Sequence, residues 1–142
     1  MIRVLLVAAS IAWPLLLGAA LYQRIHHQNP AWTSAVYLAS AIVCHRIPAR
    51  SFHTAGVQWP VCGRCSGLYF AAPVGALLAL VTRRRTRDGR ANAGLIGLAA
   101  VPAIASIALE LLGVSDIGNV GRALTAVPIG VAVMLVLTGM VE

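Results

Sequence analysis

The chain has 142 residues, of which 59% are hydrophobic and 11% charged, with a net charge of +7 and a mean hydropathy of +0.83. Those proportions exclude an ordinary soluble domain and define an integral membrane protein. All eleven basic side chains are arginine, and in so apolar a chain they point to the positive-inside rule and to anionic headgroups: membrane lipid is the expected partner, and nucleic acid is not.

Each crossing takes about 20 residues, so residues 1–142 are expected to form a single membrane domain. The expected fold is all-α, a polytopic bundle of about four transmembrane helices. Ile2 to Tyr22 is the first apolar run, broken by Arg3, Ser10 and Pro14. It reads as a retained helix rather than a cleaved signal peptide, because its apolar part is too long and its positive region is one arginine. The polar turn from Arg24 to Pro30 ends it, and His26 and His27 are expected to face solvent or headgroups. Ala31 to Val43 is too short for a full crossing and carries Trp32 and Tyr37, which predicts a short interfacial or re-entrant helix.

After an irregular stretch at 44–65, the segment Ser66 to Val81 is long enough to span when the small residues before it are included. An arginine-rich hinge follows at 83–92, with five arginines between Arg83 and Arg90. Ala93 to Val114 is apolar except for Ser106 and Glu110. A polar loop then carries Asp116, Asn119 and Arg122, and Ala123 to Val141 forms the last span. The hinge is expected to be cytoplasmic. Two topologies satisfy this, differing in whether Ala31 to Val43 crosses, and both leave 44–65 and the Asp116 to Arg122 loop extracytoplasmic.

The stretch from Cys44 to Cys65 holds all three cysteines and two of the four histidines. Cys62-x-x-Cys65 presents two sulfurs on one turn, while Cys44, His45 and His53 offer further donors. Four N/S ligands in a tetrahedron suit zinc or a similar transition metal. One C-x-x-C is a weaker signal than two paired knuckles. A second reading is a membrane thiol-disulfide oxidoreductase, with Cys62 activated by a helix N-terminus and Arg64. A third is a non-enzymatic scaffold whose cysteines are structural.

Arg50, Arg64, Glu110, Asp116, Asn119 and Arg122 are candidate supporting or substrate-binding residues. Glu110 is the sole acid inside an expected span, so it calls for a partner among Arg50, Arg64 and Arg122. Asn119 and Arg122, three apart, would share a helix face. Either Asp116 or Asn119 is expected to cap that helix. No nucleotide loop, nucleophile elbow, zinc-protease helix or paired-carboxylate motif is present, so enzyme status stays open. Association of several copies is compatible with the sequence.

The residues Cys44, His45, Pro48, Arg50, Ser51 and Phe52, then Pro60, Val61, Cys62, Arg64, Cys65, Gly67 and Tyr69, resemble the signature of the membrane family called domain of unknown function 2085. Asp116, Asn119, Arg122 and Gly130 continue the likeness. Arg46, Gly63 and Ser66 depart from it, standing where glutamine, alanine and threonine are usual. The resemblance implies a multi-pass protein of a prokaryotic cytoplasmic membrane with a Cys-His-Cys-Cys core. It implies no substrate.

Overall fold

The computed structural model describes residues 1–82 and 88–141. Four long helices dominate: α1 (Ile2–Ile25), α3 (Gly63–Val81), α4 (Gly89–Leu111) and α5 (Gly118–Met140), with a shorter α2 (Pro30–Val43) after the first. The four long ones, of 19 to 24 residues, are apolar enough to cross a membrane. Each contains one proline, which spanning helices tolerate because neighbouring groups satisfy the freed carbonyl.

The helix boundaries follow local chemistry. Asn29 opens α2 with Pro30 at its first position, a residue whose missing N–H costs nothing there. The Asp88 carboxylate accepts from the Arg90 and Ala91 amides, starting α4 earlier than Ala93. At its other end Gly113, at φ +68°, donates to the Glu110 carbonyl while Val114 donates to that of Leu109. This Schellman-type stop ends the helix before Val114. The N-cap of α5 is Ile117, not Asp116 or Asn119 as expected. Asp116 instead accepts from the Gly118 amide two positions on, at the start of the helix five residues before Ala123.

The 44–65 stretch is more ordered than an irregular loop. A 3-10 turn at Pro48–Arg50 leads into strands β1 (Ser51–Thr54) and β2 (Val57–Cys62), paired antiparallel. Ala55 and Gly56, both at positive φ, close the hairpin in two residues. A register irregularity between Ser51 and His53 has a physical consequence. Ser51 is fully buried while His53, two residues on, is exposed, so the bulge breaks the alternation that would have put both on one face.

Helix directions follow from specific contacts. The Arg3 guanidinium donates to the Ala79 carbonyl, and Trp13 meets Tyr69 edge to face at 6.1 Å, so α1 and α3 run antiparallel. In α3 and α5, Gly63 faces Asn119, Gly67 faces Ala123 and Gly75 faces Val131, which makes them parallel. Their backbones touch there: a Cβ on Gly67, Gly75 or Gly130 would overlap a carbonyl of the facing helix. α4 returns antiparallel and is the least buried of the long helices, with Asn92 and Ser106 buried and the Glu110 side chain turned into the bundle.

α2 folds back along α1, with the Arg24 guanidinium over the Tyr37 ring at 4.4 Å and Leu17 packed with Cys44. At about 1.5 Å per residue it is about 21 Å long, short of the hydrocarbon thickness of about 30 Å. It therefore returns only part-way, and of the two topologies the structure keeps the one in which α2 does not cross. The N-terminus and the ends of the arginine hinge, Thr82 and Asp88, lie at one end of the bundle. The cysteines, the hairpin and the 112–117 loop lie at the other. Hinge residues 83–87 are outside the described residues.

The close α3–α5 contact predicts that Gly67→Ala lowers stability by about 1 to 3 kcal/mol through overpacking. Gly97→Ala, which would meet nothing within 4 Å, should be neutral or stabilising. Thermal unfolding in detergent measures both, and equal midpoints would contradict the close packing.

Candidate cysteine and arginine site

Three elements deliver the three sulfurs. Cys44 leaves the end of α2 in an extended conformation, held by its amide donating to the Ser40 carbonyl at 2.9 Å. Cys62 ends β2, and Cys65 lies in the first turn of α3. The Cys62 amide donates to Cys44 Sγ at 3.2 Å. All three Sγ atoms lie within 4.8 Å of one another, and all three thiols are free.

Leu17, Val61, Val36, Trp13 and Tyr69 form the apolar wall behind them. Gln58 fixes the loop in front: its Nε2 donates to the Arg46 carbonyl at 2.7 Å and to Ser51 Oγ at 3.2 Å, and its carbonyl accepts from Tyr37 at 2.8 Å. Hydrogen bonding from the Cys65 thiol outweighs burial and pulls the Cys62 thiol down to about 5, with help from the Cys65 amide, the Cys44 thiol and the Arg64 amide. These hydrogen bonds favour the thiolate form at Cys62 within the group.

Beside the sulfurs stands a buried ionic cluster joining three helices. Glu110 Oε1 of α4 accepts from Arg64 of α3 at 2.8 Å and from Arg122 Nε of α5 at 3.0 Å. Each nitrogen of the Arg122 guanidinium has a partner, Nη2 donating to Asp116 Oδ1 at 2.9 Å and Nη1 to Asn119 Oδ1 at 3.0 Å. Asn119 in turn donates to the Ser51 carbonyl at 2.9 Å, tying α5 to β1. The Glu110 side chain is 8% exposed and that of Arg122 6%, whereas Asp116 is 74% exposed. The Arg122–Glu110 contact thus lies in a low-dielectric setting, while the Asp116 contact is screened by solvent.

A cavity of about 210 Å³ opens onto the sulfurs, lined by Cys44, Cys62 and Cys65 together with His45, Arg46, Arg50, Arg64 and Arg122. His45 thus borders the cavity but lies outside the tight sulfur group. His53 is exposed on the hairpin, away from the cavity lining. Arg50 is exposed and not bonded to Glu110; it lines this cavity and a neighbouring one shared with Glu110, Asp116 and Arg122. Sequence reasoning missed Ser106, whose hydroxyl lies 3.4 Å from both Arg64 and Thr125. The signal was its position four residues before Glu110, which puts it on the same helix face.

Residues 44–136, well over half of the chain, match the family of predicted membrane proteins DUF2085, and the chain belongs to that family. It is a multi-pass membrane protein with a cysteine triad at one end of its bundle. An uncharacterized protein of Methanothermobacter thermautotrophicus is 34% identical over 63% of this chain and 78% of its own length. Uncharacterized protein MJ1492 of Methanocaldococcus jannaschii is 26% identical over 70% of this chain, which spans 64% of that relative. No solved structure matches.

Removing one member of a buried ion pair costs about 3 to 5 kcal/mol because the other charge is left stranded. Glu110→Gln and Arg122→Gln should each lose that much thermal or denaturant stability. Arg90→Gln, at an exposed position, should change it by less than about 0.5 kcal/mol. Unfolding of the three variants in one detergent is the measurement, and equal stability would contradict the cluster's role.

Proposed function

We propose that the three sulfurs bind one zinc-like transition metal ion, with the fourth coordination position facing the cavity. The observation that carries this reading is the convergence of Cys44, Cys62 and Cys65 from three elements to within 4.8 Å. Three protein ligands with an open position are the pattern of metal sites that take an exogenous ligand. Cys62, already favoured as a thiolate, offers a donor with little proton competition. The buried ionic cluster supports the site by holding the first turn of α3, which carries Cys65, against α4 and α5.

Purified protein should carry about one zinc ion per chain, and Cys44→Ser, Cys62→Ser and Cys65→Ser should each lose it. His53→Ala should retain it, and so should His45→Ala if the fourth position is exogenous as proposed. Elemental analysis with thiol counting reads the outcome. The lowered Cys62 thiol next to Cys65 also favours a second reading, in which the Cys62 thiolate and the Cys65 thiol close to a disulfide, passing two electrons to an acceptor and releasing the one proton of Cys65. Metal-free protein with a Cys62–Cys65 disulfide that reductant reopens would select that reading over the first.

The site is proposed to face the extracytoplasmic side of a prokaryotic cytoplasmic membrane, supported by the five arginines that the sequence carries between Arg83 and Arg90. A membrane-impermeant maleimide should label Thr54→Cys in intact cells and leave Asp88→Cys unlabelled, each in a background lacking the native cysteines. The reverse pattern would put the site inside.

A further inference from the structure

We infer that the cavity beside the sulfurs is an oxyanion site whose anchor is Arg50, and that its ligand is a phosphate-type anion, free or borne by a lipid headgroup. The inference deepens the proposal that this cavity is the functional site. It starts from charge. The cavity lining contains four arginines and no carboxylate.

Two of the four guanidiniums are already committed: Arg64 is paired with Glu110, and Arg122 with Glu110 and Asp116. A third, on Arg46, lies 6.0 Å from the Tyr37 ring centroid. The Arg50 side chain has no hydrogen-bonded, ion-paired or aromatic partner among the described residues. Arg122 already has two carboxylates and an amide oxygen around it, so its charge is matched within the ionic cluster, whereas that of Arg50 is not.

Arg50 is also placed rather than free to wander at its base. It ends the 3-10 turn, where its amide donates to the Ile47 carbonyl at 2.9 Å, and the next residue, Ser51, is fully buried with its hydroxyl on the same carbonyl at 2.9 Å. Its side chain lines both the sulfur cavity and the neighbouring one, so it stands at their junction. Glu110 and Asp116 line the second cavity and disfavour an anion there; the sulfur cavity has no carboxylate, and four arginines line it beside the Cys62 sulfur. A planar guanidinium beside a cavity of about 210 Å³ suits bidentate contact with phosphate oxygens. Three thiolates on a divalent ion leave one negative charge, which does not cancel the cationic wall. Anion binding therefore requires no metal, and a bound metal does not forbid it.

The test uses the full chain with two probes. Inorganic phosphate is titrated by calorimetry into zinc-loaded and metal-free protein in a neutral detergent. Separately, thermal shifts are compared in nanodiscs of phosphatidylcholine with and without phosphatidylglycerol. Arg50→Gln, at an exposed position, should keep the wild-type unfolding midpoint and weaken the anion response about tenfold or more, while Arg24→Gln should leave it unchanged. An Arg50-dependent response to inorganic phosphate identifies a free anion, and one confined to phosphatidylglycerol identifies a headgroup. No response to either probe, or equal loss in both variants, overturns the inference. Zinc binding without an anion response overturns it alone, whereas an Arg50-dependent response in protein that takes up no zinc leaves it standing and removes the metal.

Discussion

A single carboxylate in a mostly apolar helix sets the terms for this end of the protein. Glu110 cannot remain charged and unpaired at that depth without a cost that would compete with folding. Its two guanidinium partners come from two other spans, so satisfying it draws α3, α4 and α5 together at the same height. Arg122 then extends the constraint through Asn119 to the backbone of β1. The ionic cluster therefore fixes where the hairpin sits and where α3 begins, and with them two of the three sulfurs.

The glycine contacts between α3 and α5 serve the same geometry by another route. Bare backbone at Gly63, Gly67, Gly75 and Gly130 lets two parallel helices approach until carbonyls meet α-carbons. In lipid, dispersion across such a close interface takes over from hydrophobic burial as the associating force. With that spacing Arg64 and Arg122 reach the same carboxylate. Larger residues would separate the helices and strand the charges.

Much of this was legible in the sequence. The four spans follow from uninterrupted apolar runs, and the need of Glu110 for an arginine follows from the cost of burying a charge. Which arginine was not legible, because Arg50, Arg64 and Arg122 were equally placed until the parallel α3–α5 packing brought two of them level. The hairpin escaped because its turn uses Ala55-Gly56 rather than the asparagine or aspartate that signals such turns. The exclusion of His53 from the sulfur group depends on the bulge after Ser51, which periodicity does not reveal. The small-residue stripe at Gly63, Gly67, Ala71 and Gly75 was present at four-residue spacing and marks the α3 face that meets α5.

A buried ionic cluster adjoins a preorganised set of three sulfurs, which are proposed to act together on one metal ion. X-ray absorption at the zinc edge of purified, zinc-loaded protein addresses that claim at the atoms concerned. Three sulfur scatterers at about 2.3 Å and one lighter ligand at about 2.0 Å are expected. A shell of nitrogen and oxygen alone, or one containing a single sulfur, would contradict it.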